Sequence, residues 1–330
     1  MPKPKVFVTR LIPEEGLAMV REATAMKLWE GELPPPHKVL LDEVREVEGL
    51  LSLLTDKIDA ALMDSNPRLK VISNFAVGYD NIDIPAATAR GIPIGNTPGV
   101  LTDTTADLAF TLMMAAARRI QESIDYVRAE KWKTWGPKLL MGQDIHGATL
   151  GIIGFGRIGQ GMAKRAGGFG MRVLYYDVYR RQDLEQTMDV TFADMDTLLR
   201  ESDFVTVHTD LNETTRHMMN AAAFAKMKPT AIVINTARGP IVDPQALYAA
   251  LKSGKIGGAA LDVTEPEPIP TDSPLLTLPN CLIVPHIASA SVATRGKMAQ
   301  MAAANLLAGL RGEKLPTCVN PEVYERGVRK

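Results

Sequence analysis

The apolar positions of this chain fall into two series of short runs separated by longer stretches of helical spacing. In the first hundred residues the runs are Lys5–Thr9, Lys27–Trp29, Gly49–Leu54, Val71–Phe75 and Ile92–Gly95, with helical patterns at Glu14–Ala23 and Leu40–Val47. In the second series they are Leu150–Ile153, Arg172–Tyr176, Asp203–His208, Ala231–Asn235, Ala259–Leu261 and Leu282–Val284, with helical patterns at Ile158–Phe169 and Asp243–Ser253. Short strands alternating with helices imply parallel strands joined by crossover helices. The pattern therefore predicts an α/β protein of two doubly wound, Rossmann-like parallel-sheet domains. Pro34-Pro35-Pro36 reads as a loop, because proline fixes φ and lacks a donor. Ala106–Arg118, rich in alanine and methionine, reads as a buried helix connecting the two series. Thr294–Leu310 is a further helical stretch with much apolar surface to bury. Packing it back on the first domain makes that domain discontinuous, 1–98 with 290–330, around a second domain over 99–289.

Composition agrees and removes several classes. At ~150 residues per domain, a chain of 330 residues holds about two. Lys plus Arg number 37 and Asp plus Glu 38, so nothing general draws the chain to nucleic acid or an anionic membrane. Cys281 and Cys318 cannot form a disulfide framework or a four-thiolate zinc site, and no metal is expected. No apolar run reaches the ~18 residues of a spanning helix. The apolar stretch Val6–Val8 is too short for a signal peptide, so a cytoplasmic location is expected. An enzyme and a binding scaffold both remain allowed at this level.

Gly154-Phe155-Gly156-Arg157-Ile158-Gly159 is a G-x-G-x-x-G element that follows a predicted strand and opens a predicted helix, the context a dinucleotide fingerprint requires. Gly154 permits the tight turn, Gly156 lets backbone approach a pyrophosphate, and Gly159 lets helix and strand pack closely. The helix N-terminus offers N–H groups and positive dipole to phosphates. The next strand ends in Asp177, eighteen residues past Gly159, near the spacing of an acid that binds a ribose diol. Asp177 favours NADH over NADPH. Arg180 and Arg181 follow closely enough to soften that preference by pairing with a 2′-phosphate, so NADPH stays open.

Beyond predicted strand ends of the second series stand Arg238, Asp262 with Glu267 five residues on, and His286. In an open α/β sheet ligands bind outside the carboxyl ends of the strands. Reduction of a 2-keto acid needs a guanidinium for the carboxylate. It also needs a proton donor for the keto oxygen and an acid that orients that donor. Arg238, His286 and Glu267 supply these types. His37, His146, His208 and His217 have no comparable setting and read as surface or packing residues.

Together these segments resemble the D-isomer-specific 2-hydroxyacid dehydrogenases, in their glyoxylate/hydroxypyruvate reductase branch. The likeness is carried by Gly99–Ala109, Gly154–Gly159, Asn235–Gly239, Leu261–Pro268 and Pro285–Ala290. It implies a flavodoxin-like substrate domain and an NAD(P)-binding Rossmann domain. It implies an Arg238–Glu267–His286 triad acting on small 2-keto acids, glyoxylate to glycolate and hydroxypyruvate to D-glycerate. It implies substrate contacts at Leu53, Val77, Gly78, Arg238 and His286. It implies cofactor contacts at Thr105, Gly154, Gly156, Arg157, Ile158, Gly159, Asp177, His208, Thr236, Ala237, Asp262 and Ala288, with Asp262 meeting the nicotinamide carboxamide. It also implies a homodimer through the nucleotide-binding domains, with Trp135 reaching toward the partner's substrate. Ala288 and Asp210 depart from common residues of the family, glycine and proline respectively. A phosphoglycerate-type dehydrogenase and an NAD(H)-sensing corepressor-like binding protein are the alternative expectations.

Overall fold

A computed structural model describes residues 2–329 and divides the chain into two compact units, Met1–Leu101 with Ala290–Lys330 and Thr102–Ser289. The division falls where the helix Thr102–Ala117 begins, three residues after the boundary the sequence suggested, because that helix packs wholly on the second unit's elements. Among the described residues no helix is long and apolar enough to cross a membrane.

Unit 1 holds the strands β1 (Lys5–Val8), β2 (Ala25–Leu28), β3 (Gly49–Ser52), β4 (Val71–Asn74) and β5 (Ile94–Gly95). They pair in parallel in the order β2-β1-β3-β4-β5. That order is the flavodoxin-like winding. Unit 2 holds β6 (Thr149–Ile153), β7 (Arg172–Tyr176), β8 (Val190–Phe192), β9 (Phe204–Val207), β10 (Ile232–Asn235), β11 (Gly258–Leu261) and β12 (Cys281–Ile283). Their order is β12-β11-β10-β9-β6-β7-β8, again all parallel. This is the dinucleotide-binding order with one strand added at the far edge.

Parallel sheets are covered on both faces, so their strands read as continuous apolar runs. In β10, Val233 joins the core on one face while Ile232 and Ile234 join that on the other. Helix starts are set by side chains that accept from exposed N–H groups of the first turn. Asp59, Asp83, Asp194, Asn220, Asp243 and Ser291 all cap in this way. Two expectations shift. The helix expected at Leu40–Val47 runs over His37–Val44, beginning directly after the proline run, with Pro36 at its cap. The edge strand Val190–Phe192, three residues long, left no pattern to read.

The helix Val292–Leu310 packs within unit 1 on the helix Glu14–Ala23 and on β3 and β4, as its apolar surface required. Two glycines make that approach possible. A Cβ on Gly16 would meet Ala299 O at 2.2 Å, and one on Gly309 would meet Val71 Cβ at 2.5 Å. Gly16→Val is therefore expected to destabilise unit 1 by about 1–3 kcal/mol, the usual cost of overpacking. A urea titration would read this as a lower first midpoint; an unchanged midpoint would show that the helices can part freely.

Candidate active site

The glycine turn of unit 2 is held by backbone geometry that glycine alone tolerates. Gly154 has φ +90°, and a Cβ there would meet His208 C and Thr209 N, both at 2.7 Å. A Cβ on Gly159 would meet Gly154 O at 2.2 Å, whereas one on Gly156 would meet nothing within 4 Å. The turn thus closes tightly on β9 and keeps open space over Gly156, the cap of the helix Arg157–Gly167. No acidic residue occupies that helix's first turn, so its N–H groups and dipole are available to an anion. Thr105 lies 3 % exposed on the helix Thr102–Ala117, which packs on the helix Arg157–Gly167.

Asp177 lies at the end of β7. Its Oδ2 accepts from Phe155 N at 2.7 Å, inside the glycine turn, and its Oδ1 from Tyr179 N at 3.2 Å. The two arginines beyond it are paired. Arg180 meets Glu185 through two hydrogen bonds of 2.8 Å and lies over the Phe192 ring. Arg181 meets Asp183 at 2.9 and 2.6 Å. The Arg180 guanidinium, above all, holds the Glu185 carboxyl down at about 2.

His208, read from sequence as a surface or packing residue, is a partly buried packing residue. It flanks the glycine turn, its N donates to Ile153 O at 2.7 Å, and Nε2 lies 2.8 Å from Thr206 Oγ1. Burial pushes its pKa down to about 3, so the ring is neutral. His208 Nδ1 and Thr236 Oγ1 are buried without a hydrogen-bond partner in the structure. Such atoms are expensive unless a partner completes them. With the open glycine turn, the helix N-terminus and Asp177, they fit a bound dinucleotide.

The charged groups stand on loops after β10, β11 and β12. Asn235 closes the first loop: its Nδ2 donates to Arg238 O at 2.9 Å and its Oδ1 accepts from Ala237 N at 3.0 Å. Arg238 Nη1 donates to Ala237 O at 2.8 Å. His286 has φ +51°, uncommon for a residue with a Cβ. Asp262 holds this conformation. His286 N donates to Asp262 O at 2.9 Å, while Ile287 N and Ala288 N donate to the Asp262 carboxylate at 2.6 and 2.9 Å. Asp262 is 1 % exposed. Burial pushes its pKa up, against those two bonds and the nearby His286. Both Asp262 oxygens thus shape the His286 loop, beside which the resemblance places the nicotinamide amide.

His286 Nδ1 lies 2.6 Å from Glu267 Oε1. Burial alone would raise the Glu267 carboxyl, but the bond to His286 and that group's charge hold it below the ordinary carboxylate range. A carboxylate at Nδ1 requires the hydrogen there and leaves Nε2 for a reacting group. Cation, imidazole and carboxylate are the equipment for binding a carboxylate and delivering a proton. Glu265, Arg216 and His217, the last read from sequence as a surface or packing residue, form a second cluster beside these loops.

In unit 1, Val77 and Gly78 follow β4 and Leu53 follows β3. Asn96 Nδ2 donates to Val77 O at 2.9 Å and Asn74 Nδ2 to Gly78 O at 3.0 Å. Asn81 Nδ2 binds Leu53 O and Asp56 O at 3.1 and 2.8 Å. These amides fix the carbonyls of the segment. Trp135 is 78 % exposed on unit 2.

Residues 110–288 match the family model described as D-isomer specific 2-hydroxyacid dehydrogenase, NAD binding domain. The chain is 54 % identical to a glyoxylate reductase of Korarchaeum cryptofilum, over 98 % of each protein. A crystal structure of a Thermus thermophilus protein superposes with a TM-score of 0.91 at 45 % identity, covering 96 % of this chain and 99 % of that one. An NADPH-dependent glyoxylate/hydroxypyruvate reductase of Sinorhizobium meliloti, crystallised with NADP and malonate, gives 0.86 at 32 % identity, covering 99 % of both.

Proposed function

As this chain belongs to the D-isomer specific 2-hydroxyacid dehydrogenase family, we propose that it reduces glyoxylate to glycolate, and hydroxypyruvate to D-glycerate, with NADH as preferred donor. The observation that carries the reading is the 2.6 Å His286–Glu267 pair, on the same sheet edge of unit 2 as Arg238 and the glycine turn. Gly154, Gly156, Arg157, Ile158 and Gly159 would hold the dinucleotide's phosphates, Asp177 its ribose and Asp262 its nicotinamide amide, with Thr105, His208, Thr236, Ala237 and Ala288 lining the rest. When bound, the nicotinamide dinucleotide supplies the hydride that adds to C2. Arg238 grips the substrate carboxylate through its planar fork. His286, oriented by Glu267 at Nδ1, gives the proton from Nε2 to the keto oxygen. Leu53 and the Val77 and Gly78 N–H groups are further substrate contacts in this reading.

The test is turnover of NADH by the purified chain with glyoxylate, hydroxypyruvate, pyruvate and phosphohydroxypyruvate in turn. Glyoxylate and hydroxypyruvate are expected to lead. Preference for phosphohydroxypyruvate would favour the phosphoglycerate-type alternative, and binding without turnover the corepressor-like one.

The cofactor preference rests on Asp177, since Arg180 and Arg181 face Glu185 and Asp183 in exposed pairs that contribute little and that a 2′-phosphate would have to displace. The ratio of kcat/KM for NADH over NADPH is expected to be at least about tenfold, the discrimination that ~1.4 kcal/mol gives. A ratio below one would show that an arginine leaves its partner for the 2′-phosphate.

A homodimer is part of the same reading. The helix Ile120–Arg128 exposes Ile120, Ile124 and Val127 along one stripe, with Trp132, Trp135 and Met141 exposed beyond it. An exposed apolar stripe suits an association site, and Trp135 is assigned to the partner's substrate. Light scattering is expected to give twice the chain mass, and Ile124→Glu to return it toward one.

A further inference from the structure

Glu265 stands two residues before Glu267, and the reading above gives it no role. Its carboxylate is taken by two basic side chains of one loop. Arg216 Nη1 donates to Oε1 at 2.6 Å, and His217 Nε2 lies 2.5 Å from Oε2. Burial alone would raise the Glu265 carboxyl, but those two bonds hold it below the ordinary carboxylate range. The loop that supplies them is fastened to the residues that follow Arg238. His217, at φ +50°, donates from its N to Pro240 O at 2.8 Å; Met219 N donates to Ile241 O at 3.1 Å. Gly239 lies so close to Thr264 that a Cβ would come within 1.8 Å of its carbonyl oxygen. The segments carrying Arg238 and Glu267 are therefore joined twice, directly at Gly239 and through Arg216 and His217.

The stability this cluster adds is small. Arg216 and His217 side chains are 51 % and 41 % exposed, and ion pairs this wet contribute ~0–1 kcal/mol. Its effect is on geometry. Within its own segment Glu267 is held by one long bond, Thr264 N to Oε2 at 3.3 Å. The backbone from Thr264 to Pro268 turns it toward His286, and that stretch is tied inside by Thr264 Oγ1, which donates to Pro266 O at 2.8 Å, and from outside at Glu265.

We propose that Glu265, gripped by Arg216 and His217, is a positioning residue that fixes Glu267 against His286 and in register with Arg238. The inference rests on the proposed roles of Glu267 and His286. In the full-length protein, Glu265→Ala is expected to lower kcat for glyoxylate about ten- to a hundredfold, the cost of a misplaced catalytic group. NADH affinity, read by protein fluorescence, should stay unchanged. If Glu265 acts through Glu267, the same substitution placed on Glu267→Gln should cost under about twofold, since effects that share one route do not add. Should Glu265→Ala fail to fold, Arg216→Gln with His217→Asn removes the grip from the other side and is expected to give the same loss and the same non-additivity. Full kcat in these variants, or an equal loss in the Glu267→Gln background, overturns the proposal. Full kcat in Glu267→Gln itself overturns the reading of Glu267, a result distinguishable from failure of the inference alone.

Discussion

Replacing His286 with alanine or asparagine is expected to lower kcat for glyoxylate reduction about 10²- to 10⁴-fold, the span a positioned general acid contributes, with NADH still bound. The left-handed backbone at His286 is held from outside the side chain, by the three bonds to Asp262. Removing the imidazole therefore leaves the loop in place. Asparagine is at ease in that conformation, which separates loss of the acid from loss of the fold. The pH profile gives a second readout. Reduction takes up one proton, so kcat is expected to fall with rising pH where His286 is the group that delivers it. On the acid side, Glu267 has its pKa lowered by His286. It stays ionised as pH falls through the ordinary carboxylate value, and no loss from its protonation is expected in mild acid. The alkaline fall should vanish in His286→Asn. A variant with near-full kcat, or with the parent's profile, would remove His286 from the role of acid.

The glycine turn was legible because Gly154 and Gly159 occupy backbone positions that any Cβ would block. Arg238, Asp262 and His286 were legible because a charged group just beyond a parallel strand has one sheet edge to occupy. Contacts that depend on chain segments far apart were not. Glu265 and His217 are 48 residues apart, and His217 stands in a polar stretch that reads as an ordinary surface loop. The sequence shows Arg180 and Arg181 beside an acid. It does not show that the short helix Gln182–Met188 folds Glu185 and Asp183 back onto them. For His208 the sequence left surface and packing open; packing follows from the glycine turn closing against its backbone, a contact between segments far apart in the chain. Asp262 was found by position, but its observed work on the backbone of the His286 loop follows from the pairing of β11 with β12.

Arg238→Ala is expected to lower kcat/KM for glyoxylate about 10²- to 10³-fold, because a substrate carboxylate left without its partner loses ~3–4 kcal/mol. Most of that loss should fall on KM if the grip is equally strong before and during reduction. The backbone here is rigid independently of the side chain. Asn235 ties both ends of the loop, and Gly239 is pressed against Thr264. The effect therefore reads the guanidinium rather than a collapsed loop. Arg238→Lys keeps the charge and loses the planar fork, so it should recover only part of the loss. A small aldehyde without a carboxylate separates binding from chemistry, since it gives Arg238 nothing to hold. Its kcat/KM should be nearly the same in the parent and in Arg238→Ala. An equal loss on both substrates would mean that Arg238 supports the reacting carbonyl or the loop, and unchanged kinetics on glyoxylate would mean that the carboxylate is held elsewhere.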